Sequence, residues 1–406
     1  MKVLQINAVY GVGSTGVIVK DIHELSLANQ IDSYIAYSTS PIAQRDIPGG
    51  YAIGGVYGKK MHALLCRING MQSYFSRYAT SKLIQYIDNL KPDVVVLHNL
   101  HSNYIHLNKL LKFLAKKDIK TVVTLHDCWF YTGGCFHYTQ ACCDKWKQKC
   151  GSCPKKKADT KAFLFDRSEK ILKDRKKYFG AIKDLTVVGV SDWIADEARS
   201  TFFKSNEVVT IYNGVDSEIY KPTESDLREK YNLENKFIIL GPASKFLLPV
   251  NKETLENLSS SLLEDEVLVL IGCSDDQKKL LPKNVIALPY IKDRQELCRI
   301  YSMADVFANC TREDSLGLVN VEAQMCGTPV VTYKNTGSKE TVNGRSGYCA
   351  ESGNSLDMIE KIRHIKSLGK PALSQECRQW VLEKFEKEEN YKKYIELFKK
   401  IVEGQV

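Results

Sequence analysis

Residues 311–333 read Thr-Arg-Glu-Asp-Ser-Leu-Gly-Leu-Val-Asn-Val-Glu-Ala-Gln-Met-Cys-Gly-Thr-Pro-Val-Val-Thr-Tyr. An acidic loop with Glu313 and Asp314 runs through Ser315 and Gly317 into a helix-forming stretch. That stretch carries Glu322, stops at Gly327 and passes through Pro329 into the β-branched run 330–333. A glycine beside a helix start lets backbone N–H groups approach a diphosphate. Asp314 precedes that start, in position to accept sugar hydroxyls. Glu322 lies one turn beyond Leu318 on the same face, within reach of a ribose. An ordinary loop–helix–strand unit with solvated acids would show the same pattern, so the surrounding chain has to decide.

Outward from this block, short apolar runs alternate with helical patterns. The runs are 3–6, 93–97, 121–125, 186–190, 208–212, 237–240, 267–271, 285–288, 305–308 and 330–333. Continuous apolar strands separated by helices predict parallel sheets covered on both faces. Ten strands exceed one ordinary sheet, so the fold class is α/β with two domains, which a chain of 406 residues accommodates. The turn cluster 212–216 followed by Lys221-Pro222 marks the boundary. It gives a first domain at 1–213 and a second at 222–384. In the last segment, 385–406, Tyr391, Tyr394, Ile395, Leu397, Phe398 and Ile401 recur at helical spacing, which predicts a helix packed back on the body.

No stretch approaches the ~20 apolar residues of a membrane span. The start, Met1-Lys2-Val3-Leu4-Gln5-Ile6-Asn7, is too short and too quickly polar for a signal peptide, so a cytoplasmic protein is expected. The net charge of +9 permits an anionic partner without naming one.

Gly11-Val12-Gly13-Ser14-Thr15-Gly16 fits G-x-G-x-x-G directly after the first strand. A nicotinamide-dependent oxidoreductase would read this way, with an acidic residue ending the second strand. Here the second-strand region offers only Asp32, at its start. The loop is therefore read as a glycine turn that lets a ligand approach the backbone. Runs 94–97 and 121–125 end in His98-Asn99-Leu100-His101 and His126-Asp127. Ligands bind at the carboxyl ends of parallel strands, so these histidines are site candidates.

Six of the thirteen cysteines fall in 128–153, inside an insertion spanning 128–157. Cys150 and Cys153 have the Cys-x-x-Cys spacing of half a zinc knuckle. Cys135 and either Cys142 or Cys143, with Cys143 preferred, complete four thiolates for a structural Zn²⁺; free thiols or a disulfide are the alternative. The tract Lys155-Lys156-Lys157 follows without a recognition helix, so no nucleic-acid partner is expected. Residues 59–82 place Lys59, Lys60, Arg67, Arg77 and Lys82 among apolar residues at helical spacing. That describes either a helix lying on an anionic membrane surface or an ordinary packed helix.

Together the 3–16 stretch, the 92–101 strand, the His126-Asp127-Cys128-Trp129 corner with its insertion, the 212–216 turn, the 313–333 block and Gly337-Ser338 resemble one family. The chain is similar to glycosyltransferase family 4 enzymes of bacterial capsule and exopolysaccharide clusters, which have the GT-B fold. The resemblance implies two Rossmann-like domains with parallel sheets facing across a cleft, the acceptor on the first and the nucleotide-sugar on the second. It implies a retaining transfer, with no cofactor or metal for catalysis, from a UDP- or GDP-sugar to a lipid-linked oligosaccharide. The enzyme would be cytoplasmic, peripheral at the inner membrane face.

Carried onto this sequence, the family's acidic pair falls on Asp314 for the donor sugar and Glu322 for the ribose. Gly317 and Leu318 offer N–H groups to the diphosphate, Gly13 and Gly16 close over it, and His126 stands near the reaction centre. Tyr290 and Ile291 lie in the segment that contacts the base. Three places depart from the family, the first being Asp314, where the family has Glu. Pro242 stands where an Arg follows the glycine, and Val250-Asn251 where Lys-Gly is expected. Lys245 and Lys252 are the nearby substitutes. The rivals are a GT-B-shaped nucleotide-sugar-binding protein impaired in catalysis and, further off, the NAD-dependent oxidoreductase.

Overall fold

The computed structural model of the chain describes residues 1–405. It divides into two compact units, Met1–Ile211 together with the chain from Tyr391 onward, and Tyr212–Asn390. The first unit contains β1 (Lys2–Val9), β2 (Asp32–Thr39), β3 (Gly50–Ala52), β4 (Val94–Leu97), β5 (Lys120–Leu125), β6 (Leu185–Gly189) and β7 (Glu207–Thr210). They form one parallel sheet in the order β3-β2-β1-β4-β5-β6-β7. The second unit contains β8 (Phe237–Pro242), β9 (Glu266–Ile271), β10 (Val285–Leu288), β11 (Val306–Asn309), β12 (Val330–Tyr333) and β13 (Gly347–Ala350). These are also parallel, in the order β10-β9-β8-β11-β12-β13. Both units are thus Rossmann-like, with every residue of β4, β11 and β12 buried, as expected where helices cover both faces of a parallel sheet.

All ten apolar runs are strands. Three further strands were not among them. β3 and β13 are short edge strands with a glycine and partly exposed residues, and β2 is rich in hydroxyls. The buried Ser33 of β2 is satisfied by His23, whose Nδ1 lies 2.7 Å from its Oγ.

The turn expected as a linker packs within the second unit. The Val215 N–H donates to the Phe385 carbonyl at 2.9 Å, and Asp216 pairs with Lys387 at 2.7 Å. The terminal segment holds the single expected helix, and a separate helix precedes it. A helix Lys370–Phe385 breaks at Glu386 before a second helix, Lys387–Glu403. Its six expected apolar residues are all buried, and Lys120 Nζ donates to the Ile401 carbonyl at 2.6 Å. Among the described residues no helix is long and apolar enough to cross a membrane.

The strand order reverses between β1 and β4 in the first unit and between β8 and β11 in the second. Crevices at such switch points are where open parallel sheets bind ligands. The glycine loop leaves β1, His98 follows β4, Lys245 follows β8, and the 311–317 loop follows β11.

Candidate active site

In the second unit the 311–317 loop ends on Gly317, whose φ of +87° is left-handed and suits only glycine without strain. Gly317 caps the helix Leu318–Met325 with no side-chain cap. A buried amide network seats that helix. Asn309 Nδ2 donates to Asn320 Oδ1 at 2.8 Å, Asn320 Nδ2 to Thr341 Oγ1 at 3.0 Å, and Gln324 Nε2 to the Thr341 carbonyl at 2.7 Å. Asp314 is held from its backbone, its N–H donating to Thr336 Oγ1 at 3.1 Å. Its carboxylate faces Lys245 Nζ at 3.5 Å, so the structure brings together two residues expected at the sugar and the phosphate.

Glu322 receives a hydrogen bond from the Tyr301 hydroxyl at 2.9 Å. Burial pushes its carboxyl up to about 7, against the hydrogen bonds of Tyr301 and Tyr220 and the charge of Arg294. The two expected cations part company. Lys252 reaches only Glu256 at 3.6 Å, with its side chain 76% exposed. Asn251, standing where the family has the glycine of Lys-Gly, is fully buried and donates to the carbonyls of Lys245 (3.0 Å) and Cys310 (2.9 Å). Its Oδ1 accepts from Arg312 Nε at 3.0 Å. The charges of Lys245 and Arg312 both act on the Cys310 thiol. Sequence reasoning missed Arg312 because it lies in the acidic loop, away from the positions where a cation was sought. Tyr290 and Ile291 follow β10, Tyr290 exposed and Ile291 packed against the core.

In the first unit the glycine loop divides its labour. Gly13, with φ +67°, has open space around the place of a Cβ. A Cβ on Gly16 would meet the Val9 backbone at 3.3 Å, so Gly16 lets the helix α1 (Gly13–Ala28) close on β1.

Behind this loop runs a buried chain of contacts. His98 Nε2 lies 3.1 Å from Gln5 Oε1, and His98 Nδ1 lies 3.0 Å from His126 Nε2. Burial lowers the pKa of both histidines, that of His126 to about 4, so both are neutral at pH 7. Gln5 Nε2 is turned to the Val19 carbonyl at 3.4 Å, which leaves its oxygen, an acceptor only, for His98. One set of protons then satisfies these three contacts. His98 is protonated on Nε2, accepts on Nδ1 from His126 Nε2–H, and His126 carries its lone pair on Nδ1. Beside it, Asp127 accepts from the Trp129 N–H at 2.8 Å and lies 3.2 Å from His101 Nε2. Burial would raise the Asp127 carboxyl, but the His101 contact and the Trp129 N–H hold it below its ordinary value.

The insertion is anchored by Arg175, fully buried, which donates to the Trp129 carbonyl and, at 2.5 Å, to that of Thr132, with its guanidinium 3.9 Å from the Trp129 ring centroid. Burial raises the Cys135 thiol to about 12 and the Cys150 thiol to about 11, and raises that of Cys153. Among the described residues, however, no three His, Cys, Asp or Glu side chains are gathered as a metal-holding group.

Known proteins agree with this architecture. The profile of Glycosyltransferase Family 4 matches residues 56–219, and that of Glycosyl transferases group 1 matches residues 251–380. The chain is 22% identical over 394 residues to the putative colanic acid biosynthesis glycosyl transferase WcaC of Escherichia coli (strain K12), covering 92% of each. It is 23% identical over 235 residues to the N-acetyl-alpha-D-glucosaminyl L-malate synthase of Bacillus anthracis, covering 54% of this chain and 61% of that one. Among solved structures, sucrose-phosphate synthase from Thermosynechococcus elongatus superposes with a TM-score of 0.71 at 16% identity, covering 99% of both chains. Anabaena Alr3699/HepE in complex with UDP and glucose gives 0.65 at 17% identity, covering 98% of this chain and 99% of that one. The chain belongs to glycosyltransferase family 4 and has the GT-B fold.

Proposed function

We propose that this glycosyltransferase moves a sugar, with retention and without a catalytic metal, from a UDP- or GDP-sugar to a lipid-linked oligosaccharide in surface polysaccharide synthesis at the inner face of a membrane. The observation that carries the reading is the 314–322 segment at the switch point, where Asp314, the left-handed Gly317 and the half-buried Glu322 fall in the order a nucleotide-sugar needs. The polysaccharide assignment rests on the name of the E. coli relative, and the donor class on the UDP in HepE.

In the proposed step the bond from the anomeric carbon to the diphosphate oxygen breaks, and the diphosphate leaves with the electron pair. The acceptor hydroxyl attacks the same face and its proton passes to the diphosphate. Gly317 and Leu318 N–H groups, Lys245 and Arg312 compensate the developing charge, Glu322 holds the ribose, and Asp314 exchanges Lys245 for sugar hydroxyls. A preorganised cation or donor at such a site is worth about 10²-fold in rate.

A thermal-shift and turnover screen against UDP-, GDP- and other nucleotide-sugars tests the reading. Stabilisation by one donor, lost in Glu322→Ala, with release of nucleoside diphosphate on acceptor addition, is expected; no response to any donor would remove the donor-site assignment. A second reading, a nucleotide-sugar-binding protein without turnover, is favoured by Pro242 and Val250 standing where the family has its basic pair. Donor binding without transfer to any acceptor would select it. The oxidoreductase reading finds no acid at the end of β2, which closes on Ser38-Thr39.

We also propose a structural Zn²⁺ on Cys135, Cys143, Cys150 and Cys153. Their spacing supports it, and binding would have to draw the thiols closer than they stand. Stoichiometric zinc in purified protein is expected, and its loss in Cys150→Ser; metal-free folded protein would end the proposal.

A further inference from the structure

Helix α2 (Val56–Asn69) turns a small part of itself inward. Its buried residues are His62 and Cys66, with His62 Nδ1 2.7 Å from Ser76 Oγ. On the opposite side Tyr57, Met61, Leu64 and Ile68 are 88, 56, 50 and 45% exposed. Spacings of four, three and four residues put these side chains in one narrow arc of the helix. A packed surface helix turns such a stripe toward the core; here it faces out.

The stripe continues into a second exposed segment. Phe163, Leu164 and Phe165 are all exposed, and the segment is tied to the end of α2. The Phe163 N–H donates to the Arg67 carbonyl at 2.8 Å, and the Phe165 carbonyl oxygen lies 2.4 Å from where a Cβ on Gly70 would stand. Contiguous apolar surface of this kind marks an interaction site.

Along α2 and its neighbouring chain the charge has one sign, while Asp166 follows the second segment. No Asp or Glu occurs between Asp46 and Asp88, a span that carries Lys59, Lys60, Arg67, Arg77 and Lys82. Lys60, Arg67 and Arg77 are exposed, and Lys60 and Arg67 flank the stripe along one side. An apolar stripe on a helix bordered by basic residues is complementary to an anionic bilayer, where the apolar groups enter the acyl boundary and the cations meet headgroups. At 14 residues the helix is about 21 Å long, too short to span and suited to lying in the headgroup plane.

We propose that α2 and the 163–165 segment form a docking face for an anionic membrane surface. The proposal deepens the reading of a membrane-side transferase by naming the surface, and its test involves no sugar chemistry. Full-length protein is floated with vesicles of phosphatidylcholine alone or mixed with phosphatidylglycerol, without donor or acceptor. Binding to the anionic vesicles only, weakened by salt, is expected. Leu64→Glu with Leu164→Glu should lower partitioning about tenfold or more while unfolding at the wild-type temperature, because both positions face solvent. Lys60→Gln with Arg67→Gln should lower it several-fold. Wild type that floats with neither vesicle, or a double-glutamate variant that binds like wild type, overturns the proposal. So does a wild-type dimer in light scattering that Leu64→Glu dissociates, since the face would then serve a second copy. Failure here leaves the transferase reading standing, and inactivity toward every donor leaves vesicle binding standing.

Discussion

The donor loop of the second unit and the histidine corner of the first are built on the same plan and arrive at opposite chemistry. Each sits at the carboxyl ends of parallel strands beside a switch point, and in each, burial drives a titratable group toward its neutral form. For Glu322 that means up, to about 7; for His126 it means down, to about 4. Near neutral pH the corner therefore works through the direction of its hydrogen bonds, with no net charge on its two stacked histidines. The 311–322 segment presents charge instead, and the Glu322 part of it titrates near neutral pH. What a substitution does should depend on which of these two quantities it disturbs.

The largest contrast is expected in turnover. Glu322→Ala or Asp314→Ala should lower kcat/KM by about 10²- to 10³-fold, the cost of removing a preorganised charged contact in a dry site. His98→Phe keeps the corner's volume and removes one acceptor, and should cost only about tenfold. Steady-state kinetics with the donor identified by thermal shift would measure both. Equal losses would mean that the corner, too, acts through charge.

Stability should respond to pH with opposite signs in the two units. The folded pKa of Glu322 lies above its ordinary 4.5, so the fold favours the protonated form. That contribution is whole below pH ~4.5 and disappears as pH rises through about 7. The folded pKa of His126 lies below its ordinary 6.5, so its contribution is whole above pH ~6.5 and is lost as pH falls toward about 4. Glu322→Gln should stabilise the second unit by about 1–3 kcal/mol at pH 8 and by little at pH 4.5, while weakening nucleotide binding. Amide exchange read separately for strands β11 and β5 across pH 5–8 would show the opposite slopes. Parallel slopes would break the comparison.

The cation pair sharpens the donor side of the contrast. Lys245→Ala should weaken donor binding about tenfold, and Arg312→Ala comparably, through loss of its charge and of the Asn251 contact. Lys252→Ala should be silent, since its side chain meets only Glu256 near solvent. A titration of the identified donor into each variant distinguishes them, and a Lys252→Ala loss equal to that of Lys245→Ala would restore Lys252 to the phosphate site.

Those two lysines also mark how far the sequence could be read. Strand existence was legible because parallel strands are apolar on both faces. The three strands outside the ten apolar runs are glycine-containing edges or hydroxyl-rich, where burial leaves no apolar run. The acidic pair, the left-handed glycine and the strand-end histidines announced themselves by spacing. Arg312 and Gln5 did not, because their importance is made by partners distant in sequence: Asn251 for one, His98 and the Val19 carbonyl for the other. The apolar spacing of α2 was also plain, but which face of that helix met water depended on the tertiary structure.

The smallest and most direct test concerns Gln5. Its side chain is fully buried and touches no expected ligand position, yet its oxygen orders the protons of two histidines in sequence. Gln5→Glu retains an acceptor toward His98 Nε2 and should leave both rings protonated on Nε2. Gln5→Leu removes the acceptor, so His98 loses its reason to prefer that tautomer and His126 is no longer held to a single one. Histidine ¹⁵N spectra should show one tautomer for each ring in wild type and in Gln5→Glu, and mixed tautomers in Gln5→Leu. Turnover in Gln5→Leu should fall only a few-fold, with kcat changed more than KM if His126 Nδ1 accepts from the sugar in the transition state, and Gln5→Glu should recover it. Should wild-type His126 carry its proton on Nδ1, the corner would present a donor instead of an acceptor, and its difference from the donor loop would have to be argued again from that proton.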